Sequence, residues 1–225
     1  MNDMTMTMTM TGAVSNTAAT AAGAGREPLP PAALDQLFLQ ARTHNVWLER
    51  AIGDDTLRAL YDLMKMAPTS TNSNPGRIVF LRTPEAKERL RPALNAGNVD
   101  KVMKAPVTAI IAYDLHFYDR LAHLYPMREV RSGFAGDAAH AELTALRNSS
   151  LQGAYFLLAA RALGLDCGPI SGFDNAKVDQ EFFGPAPAMA GEIRSNFLCN
   201  LGYGDTHALF PRLPRLAFDE ACVLL

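Results

Sequence analysis

Hydrophobic positions follow helical spacing in some parts of the chain and form continuous runs in others. Apolar side chains recur at i, i+3, i+4 and i+7 over residues 33–42, which predicts an amphipathic helix, and residues 56–66 repeat the pattern. Continuous apolar runs of strand length predict buried strands over residues 77–81, 106–113 and 195–202. Strands separated by helices predict an α/β or α+β protein.

The longest predicted helix covers residues 138–163, and its second half is apolar almost all round. A helix of this kind lies at the centre of a fold, because none of its faces suits water. Shorter helices are predicted after Thr83 and Asp174, which are good N-caps. Residues 95–98 are predicted to form a loop, and residues 165–171 a strand-like run that leads into a loop.

The first 30 residues differ in composition from the rest. Residues 1–27 contain five of the ten methionines and otherwise mainly Thr, Ala and Gly, so they cannot bury enough apolar surface to become ordered. They resemble neither a secretory signal nor a transit peptide. We expect a disordered tail or an upstream start over residues 1–30 and a single domain over residues 31–225. The Leu, Phe and Val content of residues 212–225 predicts that this end docks on the domain.

Composition and charge exclude several classes of protein. The 225 residues are 48% hydrophobic and carry a formal net charge of −2 without a long basic run, so no nucleic-acid partner is expected. The three cysteines lack C-x-x-C spacing and the five histidines form no ligand pair, which argues against a metal site and for a reducing compartment. No apolar run reaches the roughly 18 residues of a membrane helix. We expect a cytoplasmic protein with no membrane partner.

Candidate chemistry lies in four polar clusters, and each also has a plain structural explanation. Residues 42–45 follow a helix, where Arg42 can clamp a phosphate or simply complement the helix dipole. Residues 67–75 can present hydroxyls and amides to a planar ligand or form a turn. Glycines in residues 168–172 allow close backbone approach to a ligand or a tight turn. Residues 211–215 can complete an anion site or be surface charge.

The order of these clusters resembles that of the FMN-dependent nitroreductases. The shared pattern consists of Arg42-Thr43-His44, the loop from Pro68 to Pro75, Ala96-Gly97-Asn98, the segment from Gly164 to Gly172, and Arg212-Leu213-Pro214. It covers about residues 34–225. Within that family, the segments ARTHN, APTSTN, RNSSLQGAY and GPISGFD resemble the branch that contains malonic semialdehyde reductases of pyrimidine degradation.

The resemblance implies a fold and a cofactor site. The fold would be a three-layer α/β/α nitroreductase-like α+β domain, with a mixed, mainly antiparallel sheet wrapped by helices, a long central helix and an intertwined homodimer. FMN would lie at the subunit interface. The residues that match the family's cofactor-binding positions are Arg42, His44, Pro68, Thr69, Ser70, Asn72, Asn98, Pro169, Ile170, Ser171, Gly172 and Arg212.

Within that set, the resemblance gives each group a role. Arg42 and Arg212 would bind the phosphate, with His44 beside them. Residues 68–72 would come from the partner subunit. Asn98 would meet the polar edge of the isoalloxazine ring, and residues 169–172 would cover one face of it.

The resemblance also implies a reaction. NADH or NADPH would pass a hydride to flavin N5, and an acceptor would then take it in a ping-pong cycle with no catalytic side chain. The expected acceptor is malonic semialdehyde, which would be reduced to 3-hydroxypropionate. The alternatives are a broad-specificity nitro or quinone reductase and a flavin-binding protein without turnover. A cation should hold the substrate carboxylate, and the sequence leaves Arg77, Arg131, Arg147 and Arg215 as candidates.

Overall fold

The computed structural model of the protein describes residues 27–185 and 187–225. The predicted tail, residues 1–30, lies outside the described residues except for 27–30, which are exposed and have no regular structure. Among the described residues, every helix is too short or too polar to cross a lipid bilayer.

Helices and strands alternate along the described chain. The helices are α1 (Pro31–Leu34), α2 (Asp54–Met64), α3 (Pro84–Leu90), α4 (Ala96–Lys104), α5 (Leu121–Leu124), α6 (Arg131–Ala135), α7 (Ala138–Ala162), α8 (Asn175–Phe183) and α9 (Phe218–Ala221). The strands are β1 (Gly76–Leu81), β2 (Val107–Asp114), β3 (Asp166–Ile170) and β4 (Ile193–Gly202). Short 3-10 turns cover Ser70–Asn72, Arg91–Ala93, Phe117–Arg120 and Thr206–Ala208.

The four strands form one sheet in the order β1-β2-β4-β3, and all three pairings are antiparallel. Every residue of β2 is buried, as its continuous apolar sequence predicts for a central strand. Strands β1 and β3 are the two edges. The residues that precede β1 therefore lie at one edge of the sheet, and those that follow β3 lie at the opposite edge.

Helices cover both faces of this sheet, so the domain has three layers. On one face, Val107, Ala109 and Ile111 of β2 pack with α2 and α7. On the other face, Ile110 and Ala112 pack with α3, α4 and α8. The alternation follows from the period of two along a strand. The predicted α+β architecture with a long central helix is confirmed.

Strand β4 contains a β-bulge at Asn196. Ser195 pairs with Ala112 and Phe197 with Ile111, so Asn196 has no partner across the ladder. The amide of Asn196 donates instead to the hydroxyls of Ser149 and Ser150 on α7, at 2.9 and 3.0 Å. A bulge adds one residue to a strand and redirects the side chains beyond it.

Several local predictions are wrong. Residues 95–98 are not a loop, because Asn95 takes the extended conformation of an N-cap and α4 begins at Ala96. The helix predicted over 33–42 is α1 followed by a π-helical turn over Asp35–Leu39. By contrast, the strand-like run predicted over residues 165–171 is present as the edge strand β3, whose hydrogen-bond partners β4 supplies. Residues 212–225 are exposed throughout, and Arg212 joins them to the domain through hydrogen bonds to the carbonyl oxygens of Leu39 and Ala41.

Candidate functional site

Arg42 and Arg212 come from opposite ends of the chain and lie side by side. The guanidinium of Arg42 donates to the carbonyl oxygen of Phe210 at 2.5 Å. The guanidinium of Arg212 donates to the carbonyl oxygens of Leu39 and Ala41, at 2.7 and 3.2 Å. Each arginine uses one of its nitrogens in these bonds. Because a guanidinium carries five N–H donors, both keep free donors for an anion.

His44 is buried rather than open to a ligand, with 4% of its surface exposed. Its backbone N–H donates to the carbonyl oxygen of Cys167 at 3.0 Å, which lays residues 43–44 beside β3. Its Nε2 lies 3.4 Å from Oδ1 of Asp166. Its Nδ1 has no hydrogen-bond partner among the described residues and faces the backbone of Gly204, where a Cβ would overlap the ring. The imidazole thus links its own segment with β3 at Asp166 and with the backbone at Gly204.

Asn98 and Gly172, two of the predicted site residues, are in direct contact. The side-chain amide of Asn98 donates to the carbonyl oxygen of Gly172 at 3.0 Å. A Cβ on Gly172 would lie 2.6 Å from Nδ2 of Asn98, so this approach requires glycine. The ammonium of Lys101, one turn further along α4, donates to Oδ1 of Asn98 at 3.3 Å. Lys101 therefore adds a positive charge at this end of β3.

The end of β3 presents alternating exposed and buried residues. Pro169 and Ser171 are exposed, whereas Ile170 is buried against the core formed with α3, α4 and α8. Near the start of the strand, Gly168 packs so closely on the first motif that a Cβ would lie 2.5 Å from the carbonyl oxygen of His44. Residues 42–44 and 169–172 therefore lie along one edge strand.

The loop from Pro68 to Pro75 has an unusual backbone. Thr71, Asn72 and Asn74 have φ angles of 51°, 50° and 43°, in the left-handed region. Such a conformation is a marked outlier for a β-branched residue such as Thr71 and costs on the order of 1–3 kcal/mol. The surrounding structure must therefore hold this loop in place.

Helix α7 and helix α5 hold the loop. Oδ1 of Asn148 accepts a hydrogen bond from the backbone N–H of Ser70 at 2.8 Å, and Oε1 of Gln152 accepts one from that of Gly76 at 2.7 Å. The amide of Asn72 donates to the carbonyl oxygen of Leu124 at 2.8 Å. Pro68 and Ser70 stay exposed and Thr69 is half-buried. The loop thus offers donors and acceptors at a fixed geometry.

The predicted site residues fall into two groups within one chain. The β3-edge half consists of Arg42, His44, Asn98, residues 169–172 and Arg212. The β1-edge half is the loop over residues 68–75, which leads directly into β1. Three interstrand spacings, about 14 Å, separate the two edges. A single chain therefore does not bring all the predicted residues together.

The four candidate cations differ in what they contact. Arg77 is held 2.6 Å from Asp114, Arg131 is 2.7 Å from Asp119, and Arg215 donates to its own neighbours Leu213 and Pro214. Arg147 is exposed and has no hydrogen-bond or ion-pair partner among the described residues.

Cys167 and Cys199 lie in the core and are not available as nucleophiles. Both are fully buried, and burial raises the pKa of the Cys199 thiol well above its usual value. A buried thiol in apolar surroundings is inert, because the thiolate is the reactive form.

Sequence reasoning missed four polar residues that support the site: Lys101, Asn148, Gln152 and Asp166. Two of them left a signal, because Asn148 and Gln152 are four residues apart on an otherwise apolar helix and so share a face. Lys101 is one helical turn after Asn98, a spacing that has meaning only when residues 96–104 form a helix. Asp166 lies within the matching segment from Gly164 to Gly172, but its role left no local signal, because its partners are distant in sequence.

Fold and site together define an α+β protein with an antiparallel sheet between helical layers and an edge at which two arginines keep free donors. The nitroreductase family model matches residues 26–203, and the chain belongs to that family. It is 58% identical over 197 residues to a protein of Rhodopseudomonas palustris (strain TIE-1) named "Putative NADH dehydrogenase/NAD(P)H nitroreductase". That match covers 88% of this chain and 98% of the relative.

Solved structures share the fold at low sequence identity. A nitroreductase family protein from Streptococcus pneumoniae TIGR4 superposes with a TM-score of 0.73 at 21% identity, over 84% of this chain and 98% of that one. A "putative nitroreductase in complex with FMN" from Exiguobacterium sibiricum 255-15 gives 0.71 at 20% identity, over 84% and 96%. These likenesses show that the chain has the nitroreductase fold.

Proposed function

We propose that the protein is an NAD(P)H-dependent oxidoreductase that holds FMN at the β3 edge. The observation that carries this proposal is the distribution of donors along that edge. Near its start, Arg42 and Arg212 each bond the backbone of the other's segment, and at its end Asn98 contacts both Lys101 and Gly172. A mononucleotide with a phosphate at one end and a polar ring at the other suits this arrangement.

The side chains of the β3 edge fit the cofactor chemically. Free N–H donors of Arg42 and Arg212 match a phosphate dianion, because guanidinium groups bind such oxygens in a planar fork. Lys101 and Asn98 would meet the polar edge of the ring. Gly172 leaves room for the backbone to approach it. When bound, FMN supplies hydride transfer at N5, and the chain supplies binding and orientation.

We further propose that a second copy of the chain completes the site as a homodimer. Within one chain the loop over residues 68–75 lies at the opposite sheet edge, so only a second copy can offer its loop to the β3 edge. The outer face of α7 supports this, because Leu143, Leu146, Leu151 and Tyr155 are 39–51% exposed. Such an apolar face suits a protein interface.

The C-terminal segment, residues 209–225, also favours a second copy. Three of its large apolar side chains, Leu213, Val223 and Leu224, are at least 74% exposed, so their own chain leaves them uncovered. An open groove of about 800 Å³ runs along the free edge of β1 and is lined partly by Leu57, Ile78 and Phe80. We propose that this groove, on a second copy, covers the segment.

We propose malonic semialdehyde as the acceptor and Arg147 as the residue that holds its carboxylate. Arg147 is the one of the four candidate arginines without a partner among the described residues, and it follows Leu146 on the exposed face of α7. It also precedes Asn148, which holds the 68–75 loop. In the dimer, that loop and this arginine would lie at the same interface. Nitro and quinone compounds are the alternative acceptors, favoured by the name of the Rhodopseudomonas palustris relative.

The first experiment is an anaerobic visible spectrum of the purified protein, before and after NADPH or NADH and again after malonic semialdehyde. Flavin absorption that bleaches with the reductant and returns with the aldehyde is the expected result. Bleaching that only a nitro compound or quinone reverses would replace the acceptor. Absorption that does not bleach would indicate a flavin-binding protein without turnover. A colourless protein that binds no added FMN would overturn the proposal.

Arg147→Gln tests the carboxylate site. We expect the KM for malonic semialdehyde to rise about tenfold or more, because a charge-assisted hydrogen bond contributes about 1.5–3 kcal/mol. The KM for a neutral quinone should change little. Arg89→Gln is the matched control, since Arg89 pairs only with residues of α8 on the other face of the sheet. An equal rise for the aldehyde and the quinone would contradict the assignment.

A further inference from the structure

Asp166, the first residue of β3, joins both arginine-bearing segments. One carboxylate oxygen lies 3.4 Å from Nε2 of His44, and the other accepts the backbone N–H of Gly204 at 2.8 Å. His44 stands two residues after Arg42. Gly204 begins the segment that runs through a 3-10 turn to Arg212. Both oxygens of Asp166 are therefore engaged by the chain itself.

The two segments are packed too closely for either to shift alone. His44 is buried and its ring lies against the backbone of Gly204, where even a Cβ has no room. Backbone bonds continue the contact, from the N–H of Leu48 to the oxygen of Tyr203 at 2.8 Å and from that of Asp205 to the oxygen of Val46 at 3.0 Å. The position of one arginine is therefore tied to that of the other.

We propose that Asp166 is a positioning residue for the phosphate of the cofactor and acts through His44 and Gly204. This inference rests on the proposed binding of FMN at the β3 edge. The carboxylate fixes the imidazole on one side and the Gly204 backbone on the other, and thereby sets the spacing of the two guanidinium groups. Forked hydrogen bonds to a phosphate depend on such spacing, because supporting residues must hold binding groups to within about 0.5 Å.

His44 thereby acquires a role different from the one that the sequence suggests. Its Nε2 faces Asp166 and its Nδ1 faces the Gly204 backbone, so neither ring nitrogen points to an open anion site. The imidazole acts as a buried spacer between the two segments. The phosphate contacts are left to Arg42 and Arg212.

Comparison of FMN with riboflavin tests this inference, because the two ligands differ only in the phosphate. We expect Asp166→Asn to weaken FMN binding about tenfold and to change the Kd of riboflavin less than twofold. Asparagine keeps an oxygen for the N–H of Gly204 but removes the charge that faces His44. Asp137→Asn is the matched control, since it removes the same charge and Asp137 likewise accepts a backbone N–H, that of His140 at the start of α7. Its ratio of FMN to riboflavin affinity should equal that of the unchanged protein.

A second variant separates positioning from loss of folding. His44→Asn should also lower the ratio of FMN affinity to riboflavin affinity. The double variant Asp166→Asn with His44→Asn should lower this ratio no further than the more affected single variant does. Equal weakening of FMN and riboflavin would overturn the inference and leave a structural role. Tighter FMN binding by Asp166→Asn would also overturn it, because the carboxylate would then repel the phosphate. If the unchanged protein binds neither ligand, the proposed function itself fails, and the inference with it.

Discussion

At the β3 edge the guanidinium groups keep free donors, whereas at the β1 edge Arg77 is already paired with Asp114 and bonded to the carbonyl oxygens of the loop end. At β3, Arg42 and Arg212 each bind the other segment's backbone, and Lys101 contacts Asn98. At β1, the loop over residues 68–75 has left-handed backbone and is held by the amides of Asn148 and Gln152. We therefore expect the β3-edge half to select a ligand by charge. We expect the β1-edge half to contribute shape, which its contact with α7 maintains.

Removal of one phosphate-binding cation should have the largest effect. We expect Arg212→Gln to weaken FMN binding up to about 100-fold, near the upper limit for charge-assisted hydrogen bonds of about 3 kcal/mol. Titration of the apoprotein with FMN at constant ionic strength measures this. Arg215→Gln, three residues further along, is the control, because Arg215 bonds only its own neighbours. Equal losses in both variants would mean that general charge, not a defined pair, attracts the ligand.

Removal of the Asn148 amide, which holds the β1-edge half, should lower the stability of the protein more than its affinity for a ligand. Asn148→Ala removes the acceptor of the Ser70 backbone N–H, a part-buried hydrogen bond whose net contribution is about 0.5–1.5 kcal/mol. We expect a loss of about 1 kcal/mol in the free energy of unfolding, measured with urea. Glu142→Ala, on the exposed side of the same helix, is the control. If both variants lose the same amount, the amide does not hold the loop.

The strain in the loop can be reduced at one residue. Asparagine tolerates left-handed backbone much better than a β-branched residue does, so Thr71→Asn should raise the free energy of unfolding by about 1 kcal/mol. Urea denaturation again measures the change. Thr206→Asn is the control, since Thr206 is exposed at the start of a 3-10 turn and its φ is not positive. A loss of stability in Thr71→Asn would show that the threonine contacts outweigh the backbone strain.

The smallest expected effect is a dependence of the free energy of unfolding on pH, which comes from the buried Lys87. Lys87 is buried and its ammonium donates to the carbonyl oxygen of Ala105, at the end of α4. Burial lowers the pKa of Lys87 from its ordinary value of 10.5, so the unfolded chain binds this proton more tightly than the folded one. The contribution of Lys87 to the free energy of unfolding is therefore complete only above the pKa that Lys87 has in the unfolded chain. This contribution is lost as the pH falls through the lower pKa that Lys87 has in the folded chain.

Lys87→Met should remove this dependence. We expect the free energy of unfolding of the unchanged protein, relative to that of the variant, to rise with pH as the pH approaches 10.5. Urea denaturation at several alkaline pH values gives the difference. Lys104→Met, at an exposed position on α4, should follow the unchanged protein. A difference that stays constant with pH would mean that Lys87 has the same proton affinity in both states.

Local patterns in the sequence predicted the elements that local forces decide. The apolar runs of β2 and β4 and the long α7 come from hydrophobic periodicity alone, and Asp174 caps α8 as its position suggests. The start of α4 was missed, because Asn95 and Gly97 favour turns as strongly as Asn95 favours an N-cap. The edge strand β3 was only partly foreseen, since a strand of five residues depends on its neighbour.

Two of the predicted site residues are neighbours in the structure, whereas other contacts of the predicted residues could not be read from a motif. The motif placed Asn98 and Gly172 in one site, and the structure brings them into contact. It could not show that His44 is buried against Asp166 and Gly204, because those contacts join segments far apart in the sequence. The separation of the loop over residues 68–75 from the β3 edge depends on strand order, which no short motif encodes.

The bulge at Asn196 divides β4 into two parts of opposite phase. Ile193 packs toward α8, yet Phe197 and Cys199, also at odd positions, pack toward α7. A deep mutational scan should therefore show tolerance with a period of two that reverses at residue 196. Deletion of Asn196 would give the whole of β4 a single alternation of faces. The core-facing side chains on one side of the deletion would then point toward the wrong helical layer. The unpaired residue Asn196 therefore determines which side chains of β4 face each of the two helical layers, and so where along the strand each layer restricts the sequence.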